Sequence, residues 1–246
     1  MTGLPHPTTL RLLRHLEELG MISCLQDRKM YRLGPLTFEL GLAAAEHCDI
    51  RGLCSDSLDR LQAQTLDTCY LTRRNGFDAV CIDRREGLSA IRVLTLDVGS
   101  RRPLGVGAAG LAVLMRLSPE EAKQLIEASA PKLNKYNRMS TSKMHELLGD
   151  ARKRGYAVCG NGITLGVTAV GVPLSSADGR PIGSISVSAV NHRMPSSRLP
   201  ELAELLFAEA RIIESRLHGP RQISEVVGLA PPVSRRLKKA RAAGGA

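Results

Sequence analysis

The hexapeptide GVGAAG at residues 105–110 spells the GxGxxG pattern that cradles a dinucleotide pyrophosphate. That chemistry needs an apolar strand entering the loop, a helix leaving it within a βαβ unit, and an acid about 20 residues on to hold the ribose. Here Ser-Arg-Arg-Pro-Leu precedes the glycines, and its proline opposes a central strand. A second helix follows the first, Ala130-Pro131 occupies the expected acid position, and Glu127 belongs to the intervening helix. The dinucleotide reading fails on context. What remains is a tight turn into a closely packed helix. Gly107, Ala108 and Ala109 are small because something approaches them, either neighbouring backbone or a ligand carboxylate at the helix N-terminus.

Ser184, Ser186 and Ser188 alternate along one apolar stretch, so in a strand all three point to one face while Ile185 and Val187 point to the other. Such a row is either a solvated face or a set of hydroxyls turned inward. Serine is a modest strand former that an exposed face could exchange for threonine or a charge. A row of hydroxyls inside a helix-covered sheet suits a small polar ligand.

Other chemistry has little support. GxSxG, HExxH and catalytic-cysteine signatures are lacking, so no enzyme is expected. His145 and His218 fall on amphipathic helices and read as surface residues. The six cysteines, at 24, 48, 54, 69, 81 and 159, form no CxxC pair and read as reduced thiols. His47, Cys48 and Cys54 have poor metal spacing and lack a fourth ligand, so neither a metal nor a cofactor is expected.

The net charge is +10, but residues 219–246 hold six Lys or Arg against one Glu, and half of the excess therefore sits in a terminal tail. That basic tail reads as unstructured, adding sequence-independent affinity for polyanions at most. With no Trp and three Phe, a base-stacking surface for single strands is not expected. No apolar stretch approaches the roughly 18–20 residues of a membrane span, and no export signal opens the chain, so a cytoplasmic protein without a membrane partner is expected.

The elements that would position these residues can be read from periodicity. Pro7 fits the first turn of a helix with leucines at 10, 13 and 16, ended by Gly20. MISCLQDRKMYRLG follows as a hairpin of winged-helix proportions, and Pro35 opens a connecting helix. A helix over roughly 50–66 precedes a hairpin turning at Asn75-Gly76, and AIRVLTLDV reads as its third strand. Two helices fill 107–129, the second opened by the capping box Ser118-Pro119-Glu120-Glu121. A third runs from Ser142 to Arg154 and stops at Gly155. GVTAVGVPLSS and RPIGSISVSAV pair through Asp178-Gly179, and a last helix carries Leu199, Leu202, Leu206 and Ile213. Strands, helices, strands and a helix imply an α+β class with a mainly antiparallel sheet flanked by helices.

The sequence resembles the IclR-type family of bacterial transcriptional regulators. GLPHPTTLRLLRHLEELGMI followed by YRLGPLTFELG is similar to that family's recognition helix, wing and linker helix. RRPLGVGAAGLAVL, RKRGYAV, GVTAVGVPL and GRPIGSISVSAVNHR are similar to successive landmarks of its effector-binding domain, which is GAF-like. The resemblance implies an incomplete winged helix-turn-helix at 1–34, a linker helix at 35–49, an effector-binding domain at 50–218 and the basic tail. It implies a homodimer or dimer of dimers on double-stranded DNA, and a small organic or aromatic acid as effector. That effector would lie among Gly107, Ala108 and Ala109, Val167 and Ala169, and Ser186 and Ser188. Where many members carry an acid after the GYAV segment, this chain has Cys159. In a recognition helix the N-terminal residues face the major groove, which nominates His6, Thr8, Thr9 and Arg11. Arg28 and Lys29 at the wing tip would meet phosphate or minor groove and position the protein.

Two functions follow: a ligand-responsive DNA-binding regulator, or a stand-alone sensor and dimerisation module that does not bind DNA. The choice turns on the opening residues, which resemble the second half of a helix-turn-helix, so that Met1 reads as an internal methionine. The 246-residue chain is expected to fold and dimerise through residues 35–218 yet bind its operator weakly, whereas a version extended upstream by a few tens of residues binds tightly. A gel-shift at physiological salt checks this; tight, sequence-specific binding by the chain as given is the contrary result.

Overall fold

In the computed structural model the described residues are 4–25, 30–45, 50–136 and 138–218. The chain divides between Asp49 and Ile50 into two units. The first holds α1 (His6–Glu18), the antiparallel hairpin of β1 (Ile22–Leu25) and β2 (Met30–Leu33), and α2 (Pro35–Ala45). Pro7 lies in the first turn of α1, where its missing N–H costs nothing. The Cys24 N–H donates to the Glu17 carboxylate and the Thr37 hydroxyl to the Met21 carbonyl, so the hairpin is tied to both helices. No residue of α1 is buried. Arg28 and Lys29, His47 and Cys48, and the tail at 219–246 lie outside the described residues.

The second unit runs α3 (Ile50–Thr65), β3 (Thr68–Asn75), β4 (Asp78–Arg85), β5 (Arg101–Pro103), α4 (Gly107–Leu114), α5 (Pro119–Ser129), α6 (Thr141–Arg154), β6 (Ala157–Gly160), β7 (Val167–Ser175), β8 (Pro181–Val190) and α7 (Arg198–Leu217). Strands β3–β8 form one sheet in the order β5-β4-β3-β8-β7-β6, with every pair antiparallel. The class is α+β, and the antiparallel sheet leaves GVGAAG without the parallel βαβ setting of a dinucleotide loop.

Alternation along the strands divides the sheet into two chemically different faces. Cys69, Leu71, Val170, Val172, Ile185 and Val187 pack against α3 and α7 in one apolar core. Each buried leucine there, such as Leu58, Leu61 or Leu206, contributes about 1.5–3 kcal/mol. The Arg60 guanidinium grips the Glu209 carboxylate at 2.8 and 2.6 Å and joins α3 to α7. Asp67 at the end of α3 is held by Arg193 at 2.7 Å and Arg198 at 2.8 Å. Burial pushes the Cys69 thiol up to about 12 and the Cys81 thiol up to about 11, so both stay protonated at neutral pH.

On the opposite face, α4 is buried along its whole length, and Leu104, Leu111, Leu114, Ile126 and Met144 form a second core with α5 and α6. The Ser118 hydroxyl accepts from the Glu121 N–H and starts α5; Ser140 does the same for Lys143 at the start of α6, which Gly155 ends at φ 85°. Contact between α4 and the sheet is direct. A Cβ at Gly171 on β7 would lie 2.9 Å from the Ala108 carbonyl oxygen, so only glycine lets the helix lie this close.

One expected element is absent. AIRVLTLDV, residues 90–98, is extended but belongs to no ladder, and the strand beside β4 is instead the three-residue β5. The cause is that side chains satisfy this backbone. The Tyr70 hydroxyl donates to the Val93 carbonyl at 2.7 Å and accepts from the Thr95 N–H at 3.1 Å. Arg84 donates to the Leu96 carbonyl at 2.9 Å, and Arg102 donates to the Thr95 carbonyl. Residues 90–98 form a strap held by Tyr70, Arg84 and Arg102, with Ser89 and Ser100 bonding its two ends. Strand β6, at the far edge, was also not anticipated from the pattern.

Two glycine substitutions should separate packing from propensity. Gly171→Ala is expected to lower stability by about 1–3 kcal/mol through overpacking against α4. Gly149→Ala, in α6 with nothing within 4 Å of its would-be Cβ, should raise it by roughly 0.5–1 kcal/mol. Urea denaturation followed by circular dichroism checks both signs.

Candidate effector site

Strand register assembles the site. Tyr70 on β3, Ser186 on β8 and Gly171 on β7 sit opposite one another, and so do Thr68, Ser188, Ala169 and Cys159 in the adjoining row. Directly opposed residues share a face, so both rows point toward α4. Small residues in these rows leave a small cavity, partly open to solvent, beneath the first turn of α4. All seven residues nominated from the sequence, Gly107, Ala108, Ala109, Val167, Ala169, Ser186 and Ser188, line it. Of the two alternatives left open for the small residues, backbone approach is seen. Gly171 brings the Ala108 carbonyl onto the sheet, and the same turn of helix roofs a cavity.

The three alternating serines divide by role. The Ser184 hydroxyl lies 2.6 Å from that of Thr72 and donates to the Ala109 carbonyl at 2.9 Å, which pins α4 to the sheet. Ser186 and Ser188 are only 3% and 5% exposed, yet among the described residues neither hydroxyl has a protein partner. Buried hydroxyls are normally hydrogen-bonded. These two oxygens open onto the cavity, where water or a polar ligand can reach them.

Charge reinforces this. Helix α4 has Val106 at its N-cap position and no side chain capping it. Its first turn therefore presents the positive end of the helix dipole to the cavity, with the Gly107 N–H against the Cys159 thiol. Arg102, at the end of the strap's reach, lines the cavity too, and a Cβ at Gly107 would lie 3.8 Å from its Nη1. Burial holds its guanidinium below the ordinary arginine pKa, with Tyr136 and Tyr70 acting the other way. Burial pushes the Cys159 thiol up, against the Gly107 and Gly162 N–H groups, so it faces the cavity as a neutral thiol. The lining thus combines one cation, hydroxyls and an uncapped helix end, with no carboxylate among the described lining residues and no base beside the thiol. It can bind an anion with a hydrogen-bonding oxygen.

Tyr70, Thr95 and Arg102 were missed in the sequence. Tyr70 shares the period-two face of Thr68 and Thr72, which was the available signal; nothing in the one-dimensional pattern brings 95 and 102 to 186. In the first unit, His6 and Arg11 are exposed on the opening turns of α1, and Thr8 and Thr9 are half-buried, Thr9 donating to the Pro5 carbonyl at 3.2 Å.

A family model described as the C-terminal region of the bacterial transcriptional regulator IclR matches residues 42–215, well over half of the sequence. The chain belongs to the IclR family of bacterial transcriptional regulators. Among curated IclR-family relatives, it is similar to the HTH-type transcriptional repressor AllR of Escherichia coli K12, 29% identical over 87% of this chain and 79% of that protein. It is also similar to the HTH-type regulator KipR of Bacillus subtilis, 26% identical over 83% and 81% respectively. Among solved structures, the Thermotoga maritima IclR aligns at TM-score 0.68 with 26% identity, covering 88% of this chain and 87% of that one. An IclR regulator from a Silicibacter species aligns at 0.75 with 21% identity over 90% and 88%, a likeness of fold.

The division among the serines predicts opposite responses. Ser184→Ala removes a buried, doubly bonded hydroxyl and is expected to cost about 1–3 kcal/mol of stability. Ser186→Ala and Ser188→Ala lose no protein hydrogen bond and should change stability by less than about 0.5 kcal/mol. Chemical denaturation of the three variants checks the contrast.

Proposed function

We propose that this IclR-family regulator senses a small organic acid, aliphatic or aromatic, in the cavity between α4 and the sheet. The observation that carries the reading is the pair of Ser186 and Ser188 hydroxyls, without a protein partner among the described residues and open to the cavity beneath the N-terminus of α4. Gly107, Ala108 and Ala109 offer backbone N–H groups to a carboxylate, and Val167 and Ala169 give the ligand's body a small, apolar wall. The effector-binding domain spans 50–218 in this reading, and the regulator works as a homodimer or dimer of dimers on a two-fold symmetric operator. His6, Thr8, Thr9 and Arg11 read bases from the opening turns of α1, while Arg28 and Lys29 contact the backbone. AllR and KipR, both named as HTH-type regulators, support the DNA-facing half of the proposal.

The test is calorimetry with a panel of small carboxylic acids on the full chain. An acid that binds should lose about tenfold to hundredfold in affinity in Ser186→Ala or Ser188→Ala, as expected for one hydrogen bond to a charged ligand. Unchanged affinity in both variants would place the ligand elsewhere and overturn the reading.

A further inference from the structure

Several half-buried arginines of the second unit are paired with carboxylates, and Arg102 differs from them. Arg60 is paired with Glu209, Arg84 with Glu86 and Asp97, Arg85 with Asp83 and Asp59, and Arg193 and Arg198 with Asp67. Arg102 is likewise half-buried, but among the described residues no carboxylate pairs with it, and the ionisable groups acting on it most are Tyr136, Tyr70, Cys159 and Cys81. Its one hydrogen bond runs from Nη2 to the Thr95 carbonyl, which leaves most of a five-donor fork unused. An arginine does not escape the penalty of burial by losing its proton, so a charge in a water-poor enclosure calls for a counter-charge.

The surroundings say where that counter-charge would sit. Arg102 reaches the cavity from β5, and its Nη1 approaches Gly107, the first residue of α4. One negative group placed there would meet both the guanidinium and the uncapped helix end. The hydroxyls of Ser186 and Ser188 line the same cavity without partners and can take a second polar atom. Cys159 brings no charge, because burial keeps its thiol protonated.

We propose that Arg102 is the counter-ion of the effector carboxylate and the residue that makes the site selective for monoanions. The ligand class is a small monocarboxylate carrying one further oxygen that hydrogen-bonds to the serine hydroxyls. A neutral amide of the same shape is rejected because it leaves the guanidinium uncompensated, and a dianion because its second charge has no partner. Being placed on the strap side of the cavity, Arg102 reads the charge, while Ser186 and Ser188 on the sheet side read the second oxygen.

This inference rests on the acid-sensing reading, and the experiment separates their failures. Calorimetry on the full chain compares lactate, benzoate and 4-hydroxybenzoate with lactamide, benzamide and 4-hydroxybenzamide, in wild type, Arg102→Gln and Arg102→Lys. The expected result is that at least one acid binds wild type at least about tenfold more tightly than its amide, that Arg102→Gln weakens that acid by about tenfold to hundredfold while leaving the amide unchanged, and that Arg102→Lys restores part of the loss. Acid and amide binding wild type equally would overturn the inference without any variant having to fold. Acid binding that survives Arg102→Gln would overturn it while sparing the acid-sensing reading. Failure of every acid to bind wild type would overturn both.

Discussion

The first turn of α4 touches the sheet through backbone, with no layer of side chains between, and this contact governs the rest of the larger unit. Ordinary helix-on-sheet packing leaves room for interdigitated side chains. Here Gly171 removes one Cβ so that the Ala108 carbonyl can settle on β7, and the Ser184 hydroxyl fastens the Ala109 carbonyl beside it. A helix seated at that depth has little freedom to slide or roll, because interiors packed near crystal density do not deform continuously. Its N-terminal end is thereby fixed over the rows of small residues on β7 and β8. The cavity is what remains where the close contact stops.

The two faces of the sheet put the same strands to different uses. Toward α3 and α7, the odd-numbered residues Leu71, Ile185 and Val187 are apolar, and the charged groups around that layer are paired at its margins, as Arg60–Glu209 and the Asp67 cluster illustrate. Toward α4, the even-numbered residues Tyr70, Ser184, Ser186 and Ser188 carry hydroxyls. Some of those hydroxyls are committed to structure and some are not. Tyr70 spends its hydroxyl on the strap and Ser184 on the helix. Among the described residues, the Ser186 and Ser188 hydroxyls are left to the cavity.

Much of this was legible in one dimension because its causes are local. Period-two alternation placed Ser186 and Ser188 on one face, Asn75-Gly76 and Asp178-Gly179 marked the hairpins, and Ser118 through Glu121 marked a helix start. The small residues at 107–109 announced a close approach. What escaped was decided at a distance. AIRVLTLDV alternates like a strand, but its hydrogen bonds are taken by Tyr70, Arg84 and Arg102, residues 7 to 25 positions away in sequence. Ser184 cannot be told from Ser186 by periodicity, since the difference lies in whether Thr72 and Ala109 stand opposite. That no carboxylate among the described residues pairs with Arg102 is still less visible, because it is a property of the folded space around a residue. Strand β6 is only four residues long and gains its identity from pairing with β7.

Strand β8 carries its anchor and its cavity-facing hydroxyls two residues apart. Position 184 holds the helix down, whereas 186 and 188 face open space, and across the ladder the same split separates Gly171 from Ala169. Substitutions at the second set alter the shape and polarity of the chamber without disturbing what supports it. Drift at a few uncommitted positions can therefore reshape the chamber, each step passing through a stable protein. The architecture lends itself to diversification of signal on a constant frame.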